Sequence, residues 1–84
     1  MTDDKSLIRD FLNGNTKSFD KLIHTYENWV KNMVYNIVKH REDAEDIAQD
    51  VFVKVYFAVK HFCYESEFKA WLYGIIINRV NNHF

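Results

Sequence analysis

The sequence contains no proline, two glycines and one cysteine, and each scarcity excludes a class of structure. Proline and glycine most often end helices and form turns, so their scarcity favours long helices over a succession of short strands. A single cysteine, Cys63, cannot form an internal disulfide and is typical of a reducing, cytoplasmic setting. The chain begins without a basic-then-apolar leader and has no run of eighteen apolar residues, so we expect neither export nor a membrane span.

Positive charge is missing from one segment. The formal net charge is −1, yet residues 42–50 carry five carboxylates and no lysine or arginine. The flanking segments, 1–41 and 51–84, each have a balance of +2. A protein that binds nucleic acid strongly by itself is usually more basic than this. The charge therefore argues against general DNA affinity and leaves room for a small, local contact.

What the sequence does contain is apolar side chains, 48% of the chain, at helical spacing. Steps of three and four residues separate them over about residues 5–12, 17–39, 42–61 and 67–82. Gly14 is a suitable helix stop, and Thr16 and Ser66 are the predicted N-caps of the helices that follow them. The β-branched run at 75–77 is too short to compete as a strand. We predict one all-α domain over residues 1–84, a bundle of three main helices plus a short N-terminal helix.

Enzymatic chemistry finds no support in the residue pattern. The four histidines are dispersed, and no glutamate has a histidine three residues further on, as a di-metal site in a helical bundle requires. A glycine-rich phosphate loop is absent, because the only glycines are Gly14 and Gly74. No nucleophile lies beside a matching base in a known motif. We therefore expect a protein without enzymatic activity, metal or other cofactor.

One flank of the third predicted helix is acidic and then apolar. Helical spacing aligns four residues on it, with Phe57 one turn further on: Asp46, Gln49, Asp50 and Val53. A solvated surface is one interpretation, since carboxylates near a helix N-terminus are favourable. However, a solvated face usually mixes glutamate with lysine, and no positive partner is present within this stretch. Docking of a basic protein partner is the other interpretation, and spacing alone leaves both open.

A second surface follows at the end of the same helix. Aromatic and cationic side chains cluster in and around the loop, together with an amide: Lys60, His61, Phe62, Tyr64, Lys69, Trp71, Tyr73, Asn78 and Arg79. Flat rings for unpaired bases and charge for phosphates are what single-stranded nucleic acid requires. The alternative is structural: Trp71 follows the apolar period of its helix, and Phe62 and Tyr64 can simply cover the open end of the bundle.

The order of these two surfaces resembles a known family. Residues 46–52 read DIAQDVF, residues 56–62 read YFAVKHF, and residues 68–78 read FKAWLYGIIIN. Together these segments closely resemble region 2 of bacterial sigma-70-type factors, in particular the extracytoplasmic-function group. Residues 18–38 are similar to the helix that opens that region, so the resemblance covers nearly the whole chain in the right order.

The resemblance implies a transcription initiation module without a cofactor. In the family, the acidic stripe docks on the clamp coiled coil of the largest subunit of RNA polymerase, which implies polymerase binding by Asp46, Gln49 and Asp50, extended by Val53. The loop and last helix of the family melt the promoter −10 element and hold a flipped base of the non-template strand. By position, this role falls on six residues: Ala58, Phe62, Tyr64 and Asn78, with Lys60 and Lys69 as phosphate contacts.

Two departures from the family pattern leave alternatives open. Cys63-Tyr64 and Gly74 stand where family members usually carry positive charge. This favours an alternative, a protein-interaction regulator that binds polymerase or a partner sigma chain without contacting DNA. The second departure is the lack of region 4, the helix-turn-helix that reads the −35 element. The chain is then either a fragment of a longer factor or a free-standing co-sigma protein, and a region-4-bearing sigma chain or an anti-sigma factor is an expected partner.

Overall fold

The computed structural model describes residues 3–83, which form four α-helices. They are α1 (Asp4–Leu12), α2 (Thr16–Val38), α3 (Arg41–Ala58) and α4 (Phe68–His83). A short 3₁₀-helix, Val59–His61, continues α3, so the last three residues of the third predicted helix are more tightly wound than an α-helix. No strand occurs within residues 3–83. The prediction of an all-α bundle with a short leading helix is confirmed.

The boundaries of α2 come from local backbone chemistry. Gly14 adopts a φ of 108°, which glycine reaches without steric cost, and this ends the first helical segment. The side chain of Asn15 then accepts a hydrogen bond from the Lys17 backbone N–H at 3.2 Å. Asn15 is therefore the N-cap, and Thr16 is the first helical residue, so the prediction of a Thr16 cap is wrong by one position. At the other end Lys39 takes the left-handed conformation, with a φ of 63°.

The starts of α3 and α4 are also marked by local hydrogen bonds. His40 caps α3, because its Nδ1 accepts a hydrogen bond from the Asp43 backbone N–H at 3.3 Å. In α4 the Glu67 carbonyl accepts from the Trp71 N–H at 3.1 Å, which is the first hydrogen bond of the helix. Ser66 lies one residue earlier, and its N–H donates to the Cys63 carbonyl within the connecting turn. Because α4 begins at Phe68, its N-cap position is Glu67, and the prediction of a Ser66 cap is wrong by one position.

The other three helices each pack against α2, and the core lies between them and α2. Sixteen apolar side chains are buried, with members from all four helices: Leu7, Ile8, Leu22, Val30, Val34, Ala44, Ile47, Ala48, Val51, Val55, Val59, Phe62, Phe68, Leu72, Ile76 and Val80. Apart from Phe62, which lies between helices, they follow the predicted helical period, whereas Ile37 and Tyr56, which share that period, are exposed. Ile37 lies in the last turn of α2, and Tyr56 lies at the rim, where its ring meets Phe11 and Phe19.

None of the helices within residues 3–83 combines the length and the apolar character that a membrane crossing needs.

Candidate functional site

The predicted docking residues lie on one exposed side of α3. We call Asp46, Gln49, Asp50, Val53 and Phe57 the α3 flank, and all five are exposed. The opposite side of the helix is buried in the core, so its packing fixes which side faces outward. The apolar members are unusually open: Val53 is 52% exposed and Phe57 is 67% exposed. The α3 flank thus offers carboxylates, an amide and apolar area side by side.

Asp50 has a positive partner that lies outside its own helix. The Arg79 side chain of α4 donates to Asp50 Oδ2 from both Nε, at 3.2 Å, and Nη2, at 2.9 Å. This corrects the expectation of an acidic stripe without a positive partner. Among residues 3–83, Asp46 forms no ion pair, so the two carboxylates of the α3 flank differ in their surroundings.

A third carboxylate, near the start of α3, lies between two imidazoles. Asp43 Oδ2 is 3.6 Å from His40 Nδ1 and 3.8 Å from His83 Nε2. The end of α4 therefore lies next to the beginning of α3. Within residues 3–83, no group of three histidine, cysteine or carboxylate side chains is arranged to hold a metal ion.

The segment 59–67 and the first turn of α4 form what we call the loop end, and its aromatic rings pack on one another. Phe62 is 4% exposed, and its ring lies 5.3 Å from Tyr64, 5.9 Å from Phe68 and 5.5 Å from Trp71, centroid to centroid. This differs from the expectation that Phe62 presents a free face to a base. The 3₁₀-helix ends at His61, and the extended backbone of Phe62 turns its ring back to the core.

The other predicted DNA contacts at or next to the loop end vary in their exposure. Lys60 is exposed, Ala58 and Tyr64 are half-buried, and the Arg9 guanidinium carbon lies 4.7 Å from the centre of the Tyr64 ring. A cation over an aromatic face is attracted by its quadrupole. One face of Tyr64 is therefore covered by α1, a contact that sequence spacing does not reveal.

Lys69 borders an aromatic groove that sequence reasoning missed. Its Nζ lies 4.8 Å from the centre of the Trp29 ring. The groove has a volume of about 590 Å³ and is lined by six residues, from α2, from the end of the segment before α4 and from the first two turns of α4: Tyr26, Trp29, Glu67, Lys69, Ala70 and Tyr73. The spacing of Lys69 and Tyr73 by four residues on α4 was the available signal, because it puts both on one side of the helix.

Tyr26, in the same groove, is bonded to the N-terminal helix. Its hydroxyl donates to Asp4 Oδ2, and its ring packs 5.3 Å from that of Phe68. Burial, together with the Asp4 carboxylate, raises the pKa of Tyr26 well above its ordinary value. The phenol is therefore held in its neutral form.

Asn78 is exposed on α4, away from the loop end. It follows the first residue of α4 by ten positions, which corresponds to about 15 Å along the helix. Ala58 instead shares a groove of about 600 Å³ with Val53, Phe57 and Arg79. The six predicted DNA contacts therefore do not form one cluster but lie along the loop end, the rim of the α3 flank and the side of α4.

Comparison with known proteins identifies the family. The family model for Sigma-70 region 2 matches residues 22–84. The RNA polymerase sigma-H factor of Pseudomonas aeruginosa is 34% identical over 80 residues, which cover 95% of this chain and 42% of that protein. The ECF RNA polymerase sigma-E factors of Haemophilus influenzae and Escherichia coli are 34% and 32% identical over 95% of this chain. The chain spans about two fifths of the length of these relatives.

A solved structure gives the same result for the fold. An engineered region 2 of sigmaE, determined by NMR in complex with GTAAAA, superimposes with a TM-score of 0.88 at 30% sequence identity. The match covers 98% of this chain and 85% of the other. The chain therefore belongs to the sigma-70 region 2 family, and its relatives include sigma factors of the ECF type.

Proposed function

We propose that this domain is a transcription initiation module that docks on the RNA polymerase clamp and helps to recognise and melt the promoter −10 element. One observation carries the proposal: over 98% of its length the chain matches a region 2 that was solved in complex with GTAAAA, a nucleotide sequence. The relatives are RNA polymerase sigma factors by name, although they are more than twice as long as this chain. The module acts by binding and has no catalytic role or cofactor.

The α3 flank is the proposed polymerase-binding surface. Asp46, Gln49, Asp50 and Val53 are exposed together on a helix whose other side is anchored in the core. Carboxylates on such a surface attract a basic partner and orient it. The complex is further stabilised when the partner covers the exposed apolar area of Val53 and Phe57. The clamp coiled coil of the largest polymerase subunit is the partner that the family implies.

The loop end and the adjoining side of α4 are the proposed DNA-binding surface. Lys60 and Lys69 supply phosphate contacts, while Tyr64 and Asn78 supply a ring and an amide for the non-template strand. Ala58 lines the neighbouring groove, where its small side chain leaves space. Flipping a base out of the stack costs a few kcal/mol, which stacking and edge hydrogen bonds can return.

Phe62 enters this proposal in a different role from that expected of an exposed ring. Because its ring is buried against Tyr64, Phe68 and Trp71, it supports the loop from beneath. Its contribution to DNA binding is then to fix the position of Tyr64. Contact between Phe62 and a base would require the loop end to open.

A second candidate function is supported by how the cations are used. Lys69 lies over Trp29, Arg9 lies over Tyr64, and Arg79 is paired with Asp50. Each of these three cations therefore already has a partner within the chain. Such a chain can act as an interaction regulator that binds polymerase, a region-4-bearing sigma chain or an anti-sigma factor without contacting DNA.

The two functions are separated by one series of measurements. The chain is tested for binding to purified core RNA polymerase by biolayer interferometry, and then for promoter-dependent transcription, alone and with a region-4-bearing sigma protein. Binding with transcription supports the initiation module. Binding without transcription under any pairing supports the regulator, and absence of binding contradicts both.

A further inference from the structure

Arg79 lies where the two proposed surfaces meet. It belongs to α4, directly after the proposed DNA contact Asn78, yet its guanidinium reaches Asp50 of the α3 flank. Both of its hydrogen bonds go to Oδ2, and Oδ1 of Asp50 has no partner among residues 3–83. The pair is at the surface, with the Arg79 side chain 33% exposed and that of Asp50 56% exposed.

The charge of Arg79 matters because α4 has few cations. Lysine and arginine occur in α4 only at Lys69 and Arg79. Lys69 is over the Trp29 ring, and Arg79 is on Asp50. In the free chain, both permanent cations of the proposed DNA-binding helix are therefore engaged within the protein.

A basic partner on the α3 flank competes with Arg79 for Asp50. Exposed ion pairs contribute little to stability, so exchanging one cation for another at Asp50 costs little. The released guanidinium stays on α4, at the groove that Arg79 lines together with the proposed DNA contact Ala58. Its planar fork of donors matches the oxygens of a phosphate. Occupation of the α3 flank would then add an unpaired cation to the proposed DNA-binding side of α4.

We propose that Arg79 is a shared residue, paired with Asp50 in the free chain and bound to a DNA phosphate once polymerase occupies Asp50. This inference rests on the proposed function. It assigns to Arg79 a role in coupling the two surfaces.

The first test measures binding of a single-stranded DNA oligonucleotide containing GTAAAA to the chain without polymerase. Asp50→Asn releases Arg79, whereas Asp46→Asn makes the same change in charge at a carboxylate that has no ion pair among residues 3–83. We expect Asp50→Asn to bind about two- to fivefold more tightly than Asp46→Asn, the range of one exposed ion pair. The salt dependence should also steepen by about 0.7 in log K against log salt, as for one added phosphate contact. In the double variant Asp50→Asn/Arg79→Gln, both gains should disappear.

The second test measures binding to core polymerase. Arg79→Gln removes the competitor and should tighten binding about two- to fivefold. Lys21→Gln, which removes the same charge from an exposed position on α2, should not, and Arg79→Lys should stay close to the unmodified chain.

The possible failures are distinguishable. If the polymerase-bound chain binds the oligonucleotide but Asp50→Asn and Asp46→Asn behave alike, the assignment of Arg79 is wrong while the proposed function stands. Loss of core affinity in Arg79→Gln would likewise overturn the competition and make Arg79 a support for Asp50. If no variant binds the oligonucleotide even on polymerase, the DNA half of the proposed function fails, and this inference fails with it.

Discussion

Phe57 and Phe62 are close in sequence, but they lie in opposite surroundings. The ring of Phe57, on the α3 flank, is 67% exposed, and its only aromatic neighbour among residues 3–83 is Tyr56. The ring of Phe62, at the loop end, is 4% exposed and contacts three other rings. The same residue type is thus available to a partner at one surface and used for packing at the other.

This difference shows that binding and stability depend on different side chains at the α3 flank but on the same side chains at the loop end. On the α3 flank, the side chains that a partner would contact take no part in the core, so changing them leaves the fold intact. At the loop end, rings that resemble a binding surface in the sequence hold the end of the bundle together. A loss of DNA binding after a change there has to be separated from a loss of folding.

The largest expected effect tests this comparison directly. Phe62→Ala should lower the free energy of unfolding by about 3–5 kcal/mol, because it leaves a cavity among Tyr64, Phe68 and Trp71. Phe57→Ala should change it by no more than about 0.5 kcal/mol, since the ring is mostly in solvent. Urea denaturation followed by circular dichroism measures both.

Phe68→Ala is the positive control for this pair, because Phe68 is 1% exposed at the centre of the same cluster. If Phe62→Ala were as mild as Phe57→Ala, the loop end would be open in solution, and Phe62 would be available to a base after all.

The comparison also explains what could be predicted from the sequence. The helices and the exposure of the α3 flank follow from the apolar period, which is a local signal. The orientation of Phe62 does not, because it lies between helices, where no period applies. The contact between Arg79 and Asp50, 29 residues apart, depends on how α4 packs on α3. The hydrogen bond between Tyr26 and Asp4 likewise depends on packing, between α1 and α2.

The next effect in size concerns the α3 flank. Asp46→Arg should weaken binding to core polymerase by at least about tenfold, because it sets a like charge against a basic partner. Its free energy of unfolding should remain close to that of the unmodified chain, since Asp46 is exposed and forms no ion pair within residues 3–83. Titration with labelled core polymerase measures the affinity.

The matched control is Asp10→Arg, the same reversal at an exposed carboxylate of α1. If both variants lost affinity equally, the loss would reflect net charge and not the α3 flank.

A smaller effect is expected for the amide on α4. Asn78→Ala should reduce promoter opening by about tenfold, as for the loss of one good base-edge contact, and leave polymerase binding unchanged. Permanganate footprinting of the −10 element, with a region-4-bearing sigma protein supplied, measures opening. Asn81→Ala is the control, an exposed asparagine of the same helix outside the proposed set. Normal opening in Asn78→Ala would remove Asn78 from the proposed DNA-binding surface.

The smallest expected effect is a pH dependence of the stability that comes from Tyr26, a half-buried ring that packs against Phe68 at the loop end. Burial and the Asp4 carboxylate raise the pKa of Tyr26 above its ordinary value of 10.0. The folded chain therefore keeps this proton to higher pH than the unfolded chain does. The contribution to stability is fully present below about pH 10 and is lost as the pH rises beyond it, by at most about 1.4 kcal/mol per pH unit.

Between pH 9 and 11, the free energy of unfolding should thus fall more steeply in the unmodified chain than in Tyr26→Phe. Tyr35→Phe, at an exposed tyrosine of the same helix, should keep the steeper fall, and parallel curves for all three chains would show that Tyr26 is not held neutral by its surroundings.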